Sequence, residues 1–339
     1  MRAWNSVARA ARPVLVLAGL GAVAYLLHQV GPRAVWDSVR TLGWRLGIVL
    51  LFPFSAAVIL DTLGWRILLR DFHVPLGVLV RARLAGEAVN LITPTASVGG
   101  EPLKAYLLRP YVPLWDGLAS VVVDKTTVIV GEVVLLVIGL VLAASRLPLG
   151  SSLMLAMTGL LAVQLLAITG FVLVQMLGVF GGSARLLGRM GMGAAARHQD
   201  GLNTLDHGLR RFYRERRRLL VASALLHGAA WATGGLEIYL VLALLGLDPS
   251  LTAAMIIESF GAAVKFASFM IPASLGALEG GYVAIFGALG LGGAVGLSYT
   301  LVRRLREALW VAVGVLWLAA LRARPWVEER DVRPAADGK

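Results

Sequence analysis

The chain has 339 residues, of which 58% are hydrophobic and only 15% are charged, and its mean hydropathy is +0.77. An ordinary soluble domain carries about a quarter charged residues, so this composition excludes such a domain and indicates a chain embedded in a bilayer. The net charge of +12 is explained by basic loops on the cytoplasmic side of a membrane, and nucleic acid is not an expected partner. The absence of cysteine excludes disulfides and thiolate chemistry.

Apolar runs long enough to cross a membrane recur along the chain, since a helical span needs about 20 residues. The first run follows Arg2, Arg9 and Arg12 and has no small-residue cleavage site after it. We interpret it as an uncleaved first helix and not as a signal peptide. The sequence therefore predicts an all-α integral membrane protein with about six transmembrane helices, at residues 13–29, 47–61, 117–144, 153–177, 219–245 and 301–321.

Two further apolar segments, residues 81–109 and 252–291, are interrupted near their middle by proline and glycine and contain charged residues. Each is predicted to form a re-entrant pair of half-helices that enters and leaves the membrane on one side. This topology places both termini and the arginine-rich linker in the cytoplasm, although residues 31–45 would be external in spite of their three arginines. The predicted organisation is an N-terminal membrane half at 1–177, a basic cytoplasmic linker at 178–218, a C-terminal membrane half at 219–321 and a cytoplasmic tail at 322–339.

The two interrupted segments share a short pattern, in which a proline is followed seven residues later by a glutamate. The pairs are Pro94 with Glu101 and Pro272 with Glu279, so the copies lie 178 residues apart. Three predicted crossings separate them, an odd number, which is typical of an inverted repeat that builds a substrate site near the bilayer midplane. The residues of the re-entrant motif are Glu87, Asn90, Pro94, Gly99, Gly100, Pro272, Gly276, Gly280 and Gly281.

Ionisable residues inside these segments are candidates for substrate binding or gating, because a charge in the bilayer costs at least a few kcal/mol. Glu101 and Glu279 are expected near the first turn of the second half-helix, where they either complement the helix dipole or respond to substrate. Lys104 either pairs with Glu101 on the same helical face or binds a lipid phosphate. Lys265 either neutralises Glu258 or a carboxylate across the repeat axis. The binding and gating candidates are Glu101, Lys104, Glu279, Lys265, Arg303 and Arg304.

The remaining embedded charges are assigned a structural role, as a polar seam between helices formed by Asp124, Lys125, Glu132, Glu237 and Glu258. The five histidines are scattered without the spacing of metal ligands, so no metal site and no cofactor are predicted. Motifs for a serine nucleophile, a zinc protease or a P-loop are missing as well. The sequence therefore predicts a protein that is not an enzyme.

At these motifs the chain resembles a known family. Residues 90–108, with Gly99-Gly100-Glu101, and residues 272–282, with Glu279-Gly280-Gly281, resemble the two hallmark motifs of the flippase-like domain family. This is the transmembrane region of lysylphosphatidylglycerol synthases and of their stand-alone relatives. The patterns at residues 236–239, 257–259 and 303–307 are similar to the branch associated with hopanoid biosynthesis. The resemblance covers residues 13–322.

The resemblance implies lipid translocation between leaflets by two pseudo-symmetric halves with re-entrant helices. In the full synthases a soluble aminoacyltransferase domain follows, whereas this chain ends about 18 residues after its last predicted span, so that activity is not expected. We expect a flippase for an anionic phospholipid or a polyprenyl or hopanoid-type lipid in a bacterial inner membrane. The alternative is a scaffold for lipid-biosynthesis enzymes, and a membrane-embedded transferase is a third, less favoured hypothesis. No oligomeric state is predicted.

Overall fold

The structure is a computed structural model that describes residues 43–92, 99–183 and 199–320. Within these ranges all regular secondary structure is helical, which confirms the predicted all-α class. Its α-helices include α1 (Arg45–Leu68), α2 (Leu76–Ile92), α3 (Gly100–Leu108), α4 (Leu114–Ala143), α5 (Ser152–Leu177), α6 (Gln199–Glu215), α7 (Arg217–Leu244), α8 (Leu251–Ala267), α9 (Ala277–Ala288) and α10 (Gly293–Ala320).

Four of the described helices, α1, α4, α5 and α7, are long and apolar enough to cross a membrane. They coincide with the predicted spans at 47–61, 117–144, 153–177 and 219–245, although α1 continues seven residues further, to Leu68. The predicted span at 13–29 lies outside the described residues. The predicted span at 301–321 falls within α10, which has the length of a span but contains three arginines and a glutamate.

The outer surface of these helices is apolar, as contact with lipid requires. In α5, for example, Leu155, Leu166 and Leu177 are 61%, 75% and 70% exposed. A helix satisfies its own backbone hydrogen bonds, and this is why it is stable in hydrocarbon. The polar side chains of α5 turn the other way, since Gln164 and Gln175 are fully buried against the rest of the protein.

The first interrupted segment forms two helices, α2 and α3, that pack directly against each other. Gly86 and Gly100 lie at their crossing, where a Cβ on Gly100 would lie 1.9 Å from the carbonyl oxygen of Gly86. Only glycine allows backbones to approach this closely. The residues that connect the two helices, including Pro94, lie outside the described residues.

The second interrupted segment likewise forms two helices, α8 and α9, joined by a 3-10 turn at Pro272–Ser274. Pro272 does not itself end α8, because the helix already ends at Ala267. Pro272 instead begins a turn in which Ala273 and Ser274 have φ of 51° and 50°, and Gly276 follows with φ 79°. This left-handed backbone reverses the chain and starts α9.

The helices of the two predicted halves meet in the middle of the molecule. α7 packs against α1 and α4, while α10 packs against α2 and α9. Glycines permit these approaches: a Cβ on Gly314 of α10 would lie 2.5 Å from the carbonyl oxygen of Leu84. The largest apolar core includes Phe260, Tyr282, Phe286 and Tyr299 from α8, α9 and α10.

Helix α6 lies in the basic linker and is strongly amphipathic. Its apolar residues Leu205, Leu209 and Phe212 are buried against α4, while its arginines at 210, 211 and 214 are exposed. The helix ends at Glu215, and α7 begins at Arg217. Tyr213 donates a hydrogen bond of 2.9 Å to Gln175 Oε1, and burial raises the pKa of its phenol. The apolar face of α6 therefore packs on the protein itself.

Candidate functional site

Glu101 lies in the first turn of α3, as predicted, and is the centre of a buried charge cluster. Its carboxylate lies 3.1 Å from Nζ of Lys104 and 3.4 Å from Nζ of Lys125. Lys104 Nζ also lies 2.6 Å from Oε1 of Glu87 on α2. Two carboxylates and two ammonium groups therefore balance within this cluster.

Asn90 joins the two helices of this segment at the same point. Its side-chain amide donates to Glu101 Oε1 at 3.1 Å, and its Oδ1 accepts from the backbone N–H of Gly100 at 2.7 Å. The second contact satisfies one of the N–H groups that a helix start leaves free. Asn90 thus fixes the glutamate and caps α3, which explains why this residue type is needed at this position.

The members of the cluster differ in their access to the surroundings. The Lys104 side chain is only 2% exposed and the Glu101 side chain 10%, whereas Lys125 is 30% and Glu87 49% exposed. The cluster is therefore closed around Lys104 and open at Lys125 and Glu87. Lys125, assigned by sequence to a structural seam, lies in the same cluster as Glu101.

Glu279 occupies the equivalent position in the second segment, in the first turn of α9. Its Oε2 accepts from the backbone N–H of Gly276 at 2.7 Å, so it caps the helix start. Its Oε1 lies 2.8 Å from Nε of Arg304 on α10, and the Glu279 side chain is 26% exposed. Of the two roles left open for this glutamate, the contact with the helix start is present, together with an ion pair to Arg304 that the sequence did not predict.

Arg304 connects this glutamate to the turn before α9. It lies 2.8 Å from Glu307 Oε2 and donates 2.7 Å to the main-chain carbonyl of Ala273. Its side chain is only 2% exposed. The neighbouring Arg303 donates 2.7 Å to the Tyr282 hydroxyl and lies 3.4 Å from Glu307 and 3.6 Å from Glu258. Both arginines are therefore engaged inside the protein.

The two clusters have a common plan. In each, a glutamate in the first turn of the second short helix contacts a cation from the long helix that follows. Lys125 follows Glu101 by 24 residues, and Arg304 follows Glu279 by 25. The two helix starts of the interrupted segments are therefore built alike in sequence and in contacts.

Lys265 behaves differently from expectation. The sequence left open whether it neutralises Glu258, but Arg303 contacts that carboxylate instead. Within the described residues Lys265 makes no direct ion pair, and its side chain is exposed at the end of α8. It interacts electrostatically with Glu132, Glu258 and Glu307 over a longer distance. It is thus a cation with access to the surroundings.

The remaining residues assigned to the polar seam are buried and contact neighbouring helices. Gln164 of α5 donates 3.0 Å to Glu132 Oε1, and Arg306 of α10 contacts Glu237 of α7. The seam therefore links helices across the whole bundle, and Lys125 is its one exposed member among the residues assigned to it.

The motif glycines have separate tasks. Gly100 permits the crossing with α2, Gly276 supplies a positive φ, and a Cβ on Gly281 would lie 2.9 Å from the side chain of Val264. Gly280 has open space around it, and Gly99 has ordinary helical φ and ψ. The structure thus gives a steric reason for three of these five glycines.

A further buried network joins Asp124 to three residues that were not among the predicted site residues, Asp61, Arg83 and His227. Arg83 lies 2.8 Å from Asp124 Oδ2, while the two ring nitrogens of His227 lie 2.6 Å from Asp61 Oδ1 and 3.0 Å from Asp124 Oδ1. The available signal was that Arg83 and His227 interrupt apolar runs. Their large separations along the chain hid their proximity in space.

No group of three or more histidine, aspartate or glutamate side chains in the described ranges could hold a metal ion. The site is therefore best described by its ion pairs and helix starts. Its accessible polar groups are the carboxylates of Glu87 and Glu279 and the ammonium groups of Lys125 and Lys265.

Comparisons with known proteins bear on this arrangement. The model of the family described as the lysylphosphatidylglycerol synthase TM region matches residues 11–325. Among curated proteins, a UPF0104 membrane protein from Methanothermobacter thermautotrophicus is 26% identical over 321 residues, which cover 89% of this chain and 93% of that protein. No solved structure matches the chain.

Proposed function

The chain belongs to the family of the lysylphosphatidylglycerol synthase transmembrane region, and from this premise we propose that it moves a lipid between the two leaflets of a membrane. The observation that carries the proposal is the pair of matched helix starts. Each has a glutamate held by a cation from the next long helix. Helix starts inside a membrane bundle are typical substrate sites of transporters, because their N–H groups and dipole attract anionic groups.

The substrate would meet the accessible cations first. Lys104, Arg303 and Arg304 are at most 5% exposed and already paired with glutamates, so a phosphate would have to break buried pairs to reach them. Lys125 and Lys265 are exposed to a larger extent. We assign the first contact with an anionic headgroup to these two lysines, and the role of holding the glutamates to the other three cations.

The glutamates would then respond to the headgroup by changing partners. Glu101 is shared between Lys104 and Lys125, so a phosphate that takes Lys125 leaves Glu101 with Lys104. Glu279 likewise has two partners, the guanidinium of Arg304 and the backbone N–H of Gly276 at the helix start. Such exchanges would cost little net energy, because one charge-assisted hydrogen bond replaces another.

The structure does not test the predicted number of crossings, the sides on which the termini lie, or the location of the protein, and for these the proposal keeps the sequence predictions. We propose six crossings with two re-entrant pairs as an inverted repeat, both termini in the cytoplasm, and a location in a bacterial inner membrane. The two broken helix pairs and the matched clusters support the repeat. The lipid is proposed to be an anionic phospholipid or a polyprenyl or hopanoid-type lipid, and the reaction to be transport without covalent chemistry.

Reconstitution in liposomes tests this function. The purified full chain would be placed in vesicles containing a fluorescent anionic phospholipid, whose outer-leaflet fraction is read by chemical quenching. Wild type is expected to move the lipid, and Glu101→Gln with Glu279→Gln to reduce the rate at least about tenfold, corresponding to ~1.4 kcal/mol. Glu215→Gln, on the exposed surface of α6, is the matched control. Absence of movement by wild type with every candidate lipid would refute the proposal.

A scaffold for lipid-biosynthesis enzymes is the second candidate, favoured by one observation. The end of α6 and the start of α7 present exposed arginines at 211, 214, 217 and 218, a basic surface suited to an acidic partner. In this case the arginines would be required for function and the glutamates of the helix starts would be dispensable.

A further inference from the structure

The buried network of Asp61, Arg83, Asp124 and His227 is not used by the proposed lipid site. It joins four helices, because its members lie on α1, α2, α4 and α7 respectively. The imidazole of His227 is 0% exposed and the Asp124 side chain 3%, while Asp61 is 28% exposed. The network therefore has one open end, at Asp61, and a closed interior.

Two glycines allow the neighbouring helices to pack closely against His227 and the residue that follows it. A Cβ on Gly64 of α1 would lie 2.8 Å from Nε2 of His227, and one on Gly131 of α4 would lie 2.7 Å from the backbone nitrogen of Gly228. Gly64 thus allows α1 to approach the ring, and Gly131 allows α4 to approach the backbone of α7. The imidazole is held between two carboxylates.

The two ring nitrogens of His227 determine how many protons this geometry requires. A neutral imidazole has one N–H and one lone pair, whereas the imidazolium donates from both nitrogens. Both nitrogens of His227 face a carboxylate oxygen, at 2.6 Å and 3.0 Å. A neutral ring between two carboxylates would therefore direct a lone pair at one of them. One additional proton removes this repulsion.

Charge balance leads to the same result. Counted as carboxylates, Asp124, which is paired with Arg83, and Asp61, which is 28% exposed, carry two negative charges against the one positive charge of Arg83. With a protonated His227 the four groups are neutral, and without that proton they carry one negative charge. Other charged groups that interact with the network are Glu87 and Glu101, which act on Arg83, and Lys104, which acts on Asp124. Net charge in a bilayer interior is costly.

We propose that His227 is a proton-binding site that couples proton movement to the transport step, with Asp61 as its point of entry. This inference rests on the proposed function and names its energy source. The proton arrives at Asp61 from one side of the membrane, moves to Nδ1 of His227, and is released through Asp61 to the other side after the two halves have rearranged. The balance is one proton bound and one released per cycle, with no covalent change.

The network is connected to the lipid site through two helices. Asp124 precedes Lys125, which contacts Glu101, and Arg83 lies one turn before Glu87 on α2. His227 also holds α7, from the C-terminal half, against α1 and α4 of the N-terminal half. Loss of the proton weakens this attachment, so the two halves separate when His227 is neutral.

Reconstituted vesicles with a pH difference test the coupling. One pH unit changes an equilibrium ratio by a factor of about ten for each coupled proton. We expect wild type to shift the leaflet ratio of the transported lipid by up to this factor, and His227→Gln to leave the ratio unchanged by the gradient. His207→Gln, on the exposed face of α6, is the matched control and should behave as wild type.

Nitrogen NMR of the full chain, labelled with ¹⁵N-histidine in lipid nanodiscs, separates this inference from the proposed function. Its His227 signals, assigned by their loss in His227→Gln, should show both nitrogens protonated at pH 7, and Asp61→Asn should restore a singly protonated ring. Two protonated nitrogens in a protein that moves no lipid would support the proton site and reject transport. Gradient-driven movement by His227→Gln equal to wild type, or a singly protonated His227 in wild type, would overturn the proton site.

Discussion

At the scale of single residues, the cations around the two helix starts divide into buried and accessible ones. Lys104 and Arg304 are each 2% exposed and each contact two glutamates. Lys125 is 30% exposed, and Lys265 is exposed without a direct ion pair among the residues described. Residues of the same charge therefore have different roles, which substitutions can separate.

The buried cations should matter for stability. Arg304→Met would leave Glu279 and Glu307 without their common partner, and removal of one member of a buried ion pair costs about 3–5 kcal/mol. Chemical unfolding in detergent micelles should show a loss of this size. The matched Arg214→Met, on the exposed face of α6, should change stability little. Equal effects of the two substitutions would contradict the assignment of Arg304 to the interior.

The accessible cations should matter for lipid binding. Lys125→Gln and Lys265→Gln remove charges that face the surroundings, so the lipid concentration for half-maximal rate should rise several-fold while the thermal midpoint hardly moves. Lys104→Gln should lower the thermal midpoint instead, because Glu87 and Glu101 lose their shared partner. An unchanged lipid dependence in the Lys125→Gln and Lys265→Gln variants would show that these lysines do not meet the headgroup.

At the scale of elements, each interrupted segment places a short helix against the helix that precedes it. The first packs α2 against α3 through two glycines, Gly86 and Gly100, whose backbones are in contact. The second uses three residues of positive φ, Ala273, Ser274 and Gly276, to start α9. The shared proline and glutamate spacing therefore predicts where both second helices begin, but not the positive φ values that precede α9.

The close crossing of α2 and α3 is open to a direct test. Gly100→Ala places a methyl group where the carbonyl of Gly86 already lies, and overpacking of this kind costs about 1–3 kcal/mol. Its matched control is Gly280→Ala, at the fourth residue of α9, where the added methyl group meets open space. The free energy of unfolding should fall only in the first variant. A stable Gly100→Ala protein would contradict the described crossing.

At the scale of the whole molecule, the transport and scaffold hypotheses require different surfaces. Replacing Arg211, Arg214 and Arg218 with glutamine removes exposed positive charge far from the helix starts. Under the transport proposal this variant should keep the lipid translocation rate within about twofold of wild type, since exposed charges contribute little energy. Loss of a cellular lipid phenotype with intact translocation in vesicles would support the scaffold.

The sequence predicted much of the fold because membrane helices are specified locally. Four apolar runs coincide with long helices, and the proline and glycine interruptions at both segments coincide with helix breaks. Glu101 and Glu279 were expected in the first turn and lie there. These features follow from composition and spacing within about 20 residues, which a sequence shows directly.

The partners of the charged residues could not be predicted in the same way. Asp61 and His227 are 166 residues apart, and Arg83 and Asp124 are 41 apart, so their contacts depend on which helices pack together. Helix packing also decides the partners of two other residues. Lys125 contacts Glu101 of the preceding helix, and Glu258 contacts Arg303 and not Lys265. Charge inside an apolar run predicts burial or function, and tertiary packing decides the partner.

The most direct test of lipid movement between leaflets is the leaflet distribution of each lipid class in a strain that lacks this protein. The strain would be complemented with wild type, with Glu101→Gln/Glu279→Gln, and with the control Glu215→Gln, at matched expression levels. The proposal predicts that one anionic or polyprenyl or hopanoid-type lipid class shifts its leaflet in the deletion strain. Wild type and Glu215→Gln should restore the distribution, and the double variant should not. An unchanged distribution in the deletion strain, or full restoration by the double variant, would contradict it.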